Sequence, residues 1–110
     1  MLYVDFIAGG NNYQLRLNTR NVVMLEKMLG KNPLAIFGNG ETLPTITEMV
    51  GVLYASMQQL NHGITLDKAY DIFDAYLADG HNSTDFISVI LEIYKVSGLI
   101  GDAGDKAEKN

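Results

Sequence analysis

The amino-acid sequence predicts an α+β fold: an N-terminal two-stranded β-hairpin packed on a bundle of three main helices plus one short helical segment, with a frayed C-terminal tail. Three observations lead there. The first 18 residues alternate apolar and other side chains around a glycine-rich turn. The rest of the chain spaces its apolar residues helically, between cap-forming residues and glycines. From Gly101 to Asn110 no apolar residue is larger than alanine. The expected organisation is one domain over residues 1–100 and a flexible hydrophilic tail over 101–110.

In the hairpin, Leu2, Val4, Phe6 and Ala8 alternate on one strand and Tyr13, Leu15 and Leu17 on the other, with Gly9-Gly10-Asn11-Asn12 as turn formers. Pairing Ala8 with Tyr13 sets Phe6 against Leu15 and Val4 against Leu17. It also sets Asp5 against Arg16, a cross-strand pair of opposite charges. A lone hairpin is marginal in water, so its apolar side must lie on something.

That something is helical. Asn18 or Thr19 caps a helix to Leu29, with Val22, Leu25, Met28 and Leu29 on one stripe and Gly30 as the stop. Asn32-Pro33 opens a short helical piece through Phe37, and the loop Gly38-Asn39-Gly40-Glu41-Thr42 follows. Thr45-Ile46-Thr47-Glu48 reads as a capping box for a helix bearing Ile46, Met49, Val50, Leu53, Met57 and Leu60. Thr65 caps the next, with Leu66, Ala69, Tyr70, Phe73, Tyr76 and Leu77 as its buried stripe. Ser83 or Thr84 caps the last, which runs through Ser97.

The last helix carries Asp85, Ser88, Glu92 and Lys95 as a narrow polar stripe, and apolar residues cover the remainder. A surface helix needs an apolar arc of only about 100°. Such a helix is either the centre of the core, packed on two sides, or it meets a second chain. On the second reading Val89, Leu91, Ile93 and Val96 are the candidate protein-interaction residues.

Composition narrows the function. With 47% apolar residues among 110, the chain buries a real core and is not intrinsically disordered. No cysteine is present, which removes disulfides, thiolate metal sites and a cysteine nucleophile. The opening Met1-Leu2-Tyr3-Val4-Asp5-Phe6 has no basic region, unlike a signal peptide, and no apolar run approaches the roughly 20 residues of a membrane span. Thirteen acids against eight bases give a net charge of −5, which repels phosphate backbones, so no nucleic-acid partner is expected.

Neither a catalytic constellation nor a cofactor or metal site is expected. Asp67, Asp71 and Asp74 share a helix face, but a solvated acidic face explains that spacing better than a cation site. His62 and His81 sit in polar loops past helix ends, where they complement the helix dipole. His81-Asn82-Ser83-Thr84-Asp85 holds the residue types of a serine triad without a nucleophile elbow, and the same residues suit a helix start. Gly38-Asn39-Gly40 begins like a dinucleotide fingerprint, yet Leu43 replaces the third glycine and no strand precedes it.

Tyr13-Gln14-Leu15-Arg16-Leu17-Asn18, Leu25-Glu26-Lys27-Met28-Leu29-Gly30, Asn32-Pro33-Leu34, Leu53-Tyr54-Ala55 and Asp71-Ile72-Phe73-Asp74-Ala75-Tyr76-Leu77, in that order, resemble the tail assembly chaperones of siphophages and prophages. The resemblance spans residues 2 to 98 and rests on apolar spacing, not on invariant chemistry. It implies a non-enzymatic protein of the bacterial cytoplasm, absent from the mature virion, that binds and solubilises the tape measure protein while the tail tube assembles. The tail tube protein is a further implied partner, and a ring or helical homo-oligomer the implied assembly. Composition and pattern equally suit a small virion structural protein, such as a head-tail connector or completion subunit, or another protein-binding module.

Overall fold

In a computed structural model of the chain, which describes residues 2–101, the hairpin comes first and the helices follow. Strands β1 (Val4–Ala8) and β2 (Asn11–Leu15) pair antiparallel. Helices α1 (Thr19–Leu29), α2 (Ile46–Met57), α3 (Leu66–Ala78) and α4 (Ser83–Val96) follow, with a 3-10 turn at Pro33–Phe37 between the first two. This is the α+β architecture the sequence predicts. The expected tail lies, from residue 102 onward, outside the described residues.

The hairpin register differs from the expected one by two residues. Val4 pairs with Leu15, Phe6 with Tyr13 and Ala8 with Asn11. The loop is Gly9-Gly10 alone, with φ of 58° and 81°. A two-residue turn with both φ values positive matches the right-handed twist of the strands, and glycine reaches it without steric penalty. Asn11 and Asn12 therefore remain in the ladder. A two-residue slip preserves faces, so Phe6, Ala8, Leu15 and Leu17 are buried as expected. Asp5 faces Gln14, not Arg16, and accepts a hydrogen bond from Asn12 Nδ2 at 3.3 Å.

Arg16 has another task. Its Nη1 donates to the carbonyls of Leu2 (2.8 Å) and Val96 (2.6 Å). Its backbone N–H donates to Ser56 O at 2.9 Å, and the Leu17 N–H donates to Ser97 Oγ at 2.9 Å. Asn61 completes the seam: Oδ1 accepts from the Gln14 N–H and Nδ2 donates to the Gln14 carbonyl. The outer edge of β2 thus finds its partners at the C-terminal ends of α2 and α4, where an exposed edge would otherwise be left unpaired.

Each helix starts where a side chain accepts from the third residue on. Asn18, Thr45, Thr65 and Asn82 cap α1 to α4, and the boxes at Thr45–Glu48 and Asn82–Asp85 are reciprocal. The cap of α4 is therefore Asn82, not Ser83 or Thr84, because only from Asn82 does Asp85 stand at the reciprocal position.

The central helix is α2, not α4. Every residue from Met49 to Met57 is buried except Tyr54, which is partly so. Helices α1, α3 and α4 and strand β2 all pack on it. Ala55 and Ser56 have small side chains, which lets neighbours come close to its C-terminal half. Phe6, Phe73, Tyr76 and Phe86 fill the space between β1, α3 and α4, with centroids 4.9 Å apart for Phe6–Tyr76 and 5.2 Å for Phe73–Phe86.

At the opposite end, buried Tyr94 meets Phe37 edge to face at 6.2 Å and donates its hydroxyl hydrogen to Pro33 O at 2.9 Å. Burial, with the Glu48 charge adding to it, holds this phenol well above the ordinary tyrosine range, so it stays a donor. Replacing it with phenylalanine strands a buried carbonyl and should lower stability by about 1 kcal/mol. Tyr94→Ala also opens a cavity and should cost about 3–5 kcal/mol, both read from the urea midpoint.

Candidate functional site

Four residues of the predicted helical stripes are exposed: Met28 by 40%, Ile46 by 47%, Leu66 by 39% and Tyr70 by 43%. In α3 the buried face is Ala69, Ile72, Phe73 and Tyr76, rotated away from Leu66 and Tyr70. All but Ile46 share one groove of about 310 Å³ with Leu29, Thr47, Glu48 and Gly51. One wall is the end of α1, the other the start of α3, and α2 is the floor.

The groove follows from Gly51. A Cβ there would lie 3.9 Å from Leu25 Cδ1, Leu29 Cδ2 and Met28 Cε, in ordinary contact. Glycine leaves that volume free on the α2 side, and Leu66 and Tyr70 line the groove from α3. A mostly apolar cleft with a few polar groups at its rim is the usual form of a docking site.

At the rim, Glu48 pairs with Lys31 at 2.6 Å and accepts from the Thr45 N–H at 2.8 Å. Burial pushes its carboxyl upward, but the Lys31 hydrogen bond and charge and the Thr45 bonds outweigh this, and the net shift is down. A carboxyl lowered by folding contributes stability above its unfolded value, near 4.5, and loses it as pH falls through the folded value. Glu48→Gln keeps the capping box but not the charge. The gap in melting temperature between wild type and Glu48→Gln should therefore be full above about pH 5 and close as pH falls below it.

Of the residues proposed from the wide arc of α4, none lines this groove. Ile93 is wholly buried and belongs to the core, because α4 lies against both α2 and β1. Val89 is partly buried against the core, Val96 is half-buried, and Leu91 is 38% exposed. A surface contact through Ile93 is closed in the folded chain. Ile93→Asp should unfold the domain by circular dichroism, since a buried unpaired charge costs several of the roughly 5–15 kcal/mol of total stability. Leu91→Asp should keep the wild-type spectrum.

The two histidines sit in structural settings. His81 stacks on Tyr76 at 4.2 Å and stands 3.7 Å from Asp85, whose carboxylate also closes the Asn82 capping box. Burial and the Asp85 charge raise the Tyr76 phenol. His62 lines a shallow polar depression with Asn11, Asn12, Asn61 and Lys68 and no carboxylate. Among the described residues no group of three or more His, Cys, Asp or Glu is placed to hold a metal ion, and no helix is long and apolar enough to cross a membrane.

Fold and site together define a small α+β domain whose distinguishing surface is an apolar groove between three helices. The chain belongs to a family of unknown function, DUF6096, whose family model matches residues 5–110. No curated protein and no solved structure matches it.

Sequence reasoning sought surplus apolar surface on α4 and missed the groove. The available signal was Gly51 in the middle of an otherwise bulky apolar helix, where glycine is costly unless a neighbour or a ligand needs the space.

Proposed function

We propose that this chain is a tail assembly chaperone of a bacteriophage or prophage, which binds and solubilises a tape measure protein during tail tube assembly. The sequence resemblance supports the reading, and the observation that carries it is the apolar groove of Met28, Leu29, Leu66 and Tyr70. A long helical protein presents apolar stripes that self-associate until the tube encloses them. A groove with an aromatic wall receives such a stripe through anchors at helical spacing and needs no catalytic group. Its work lies in the host cytoplasm, before the virion is complete. Release to the tail tube follows from modest affinity per site, multiplied over many copies.

Co-expression with the neighbouring long reading frame tests this. That product should become soluble and co-purify with the chain. Tyr70→Ala should weaken the complex about tenfold, a loss of about 1.4 kcal/mol for truncating an aromatic anchor. A product equally soluble alone, or one that fails to co-purify, would replace this reading with that of a virion structural protein.

A further inference from the structure

We propose that Asn39 is a deamidation site, at which the chain converts itself, with water alone, to a more acidic form. The dipeptide Asn-Gly occurs once in the sequence, at Asn39-Gly40. It stands in the loop between the 3-10 turn and α2, where residues 38–43 are all exposed. Asparagine loses its side-chain amide when the backbone nitrogen of the next residue attacks the amide carbon. A side chain on that next residue crowds the nitrogen, and glycine has none.

The step balances with water as the co-reactant. The Gly40 nitrogen gives up its proton and bonds to Asn39 Cγ. The Cγ–Nδ2 bond breaks, and Nδ2 leaves with that proton as ammonia. Hydrolysis of the five-membered imide at one carbonyl or the other gives aspartate or isoaspartate. Two contacts favour the attack. The Glu41 N–H donates to Asn39 Oδ1 at 3.2 Å, which polarises the carbonyl and holds the oxyanion formed on it. Glu41 Oε2 accepts from Nδ2, the departing atom, at 3.4 Å. Gly40 has a φ of 90°, which glycine adopts without strain, and its N–H is freed when one exposed turn bond to Phe37 O opens.

The other asparagines among the described residues are protected. Asn32 precedes proline, whose nitrogen has no hydrogen to lose. Asn18 and Asn21 precede β-branched residues, and Asn11 and Asn12 lie in the strand ladder. The nearest competitors, Asn61-His62 and Asn82-Ser83, have engaged side chains: Asn61 bonds both backbone groups of Gln14, and Asn82 caps α4. Asp79-Gly80 can form the same imide, but its product has an unchanged mass, and its carboxylate is held by the Gly9 N–H. Conversion of Asn39 sets a new carboxylate beside Glu41 and makes the net charge of −5 one unit more negative.

Peptide mass mapping of the full-length folded protein, held for days at neutral and at mildly alkaline pH, tests this. Asn39 should be the first residue whose mass shows NH exchanged for O, with aspartate and isoaspartate both formed there. The rate should rise with pH, because the attacking nitrogen must be deprotonated. Gly40→Ala should slow conversion about tenfold, equivalent to about 1.4 kcal/mol in the barrier. Asn39→Gln, which cannot close the five-membered ring, should give no acidic form from this loop. The converted protein should elute with Asn39→Asp on ion exchange and keep the wild-type circular dichroism spectrum, since residues 38–43 contribute nothing to the core. Conversion of Asn61 or Asn82 ahead of Asn39, a rate independent of pH, or acidic species that form as fast in Asn39→Gln would overturn the proposal.

Discussion

A helix with almost no exposed side has to be covered from every direction, and α2 imposes that demand here. From Met49 to Met57 it offers water little more than part of Tyr54. The hairpin cannot cover it alone, nor can any single helix, so β2, α1, α3 and α4 are each drawn onto it. The hydrophobic driving force is non-directional, which leaves local features to decide where each element comes to rest. Two do most of that work. Ser56 offers its carbonyl to the Arg16 N–H, fixing the hairpin at the C-terminal end, and the small residues Ala55 and Ser56 let the neighbours approach closely there.

The same arrangement creates the groove. Where α1 and α3 both lean toward α2, the missing side chain at Gly51 leaves a floor that neither wall fills. Exposed large apolar residues scattered singly on a protein surface need no explanation, but several gathered around one cleft do. Glu48 adds a constraint at the rim, because its carboxylate is already engaged by Lys31 and Thr45.

What the sequence made legible was local chemistry. Hairpin, helix starts at Asn18, Thr45 and Thr65, and helix stops at Gly30 and Gly80 depend on a few neighbouring residues and are found as expected. The register failed by two because four turn formers in a row do not say which two make the turn. The breadth of apolar residues on α4 left open a core helix packed on two sides or a contact with a second chain. That helix does pack on both α2 and β1, but the most buried helix is α2, whose alanine and serine count little on an apolar scale yet allow close packing. Leu66 and Tyr70 lie at the edge of a buried face of α3 that is rotated from the predicted stripe, and for Met28 the stripe gives no information on whether a neighbour lies opposite it. The groove is a property of three helices at once, and only the fold shows it.

The stitching of β2 has a consequence for the order in which the chain can mature. The Leu17 N–H is completed by Ser97 and the Arg16 guanidinium by Val96, each across 80 residues of sequence. Strands and turn precede α4 in the chain and so leave the ribosome before it, and a two-stranded hairpin is not stable by itself. Closing so long a loop comes late, because its entropy is spent before the contact rewards it. Until α4 has emerged, the nascent hairpin keeps an unsatisfied edge and an uncovered apolar face, the two features that invite mispairing between chains made side by side on one message.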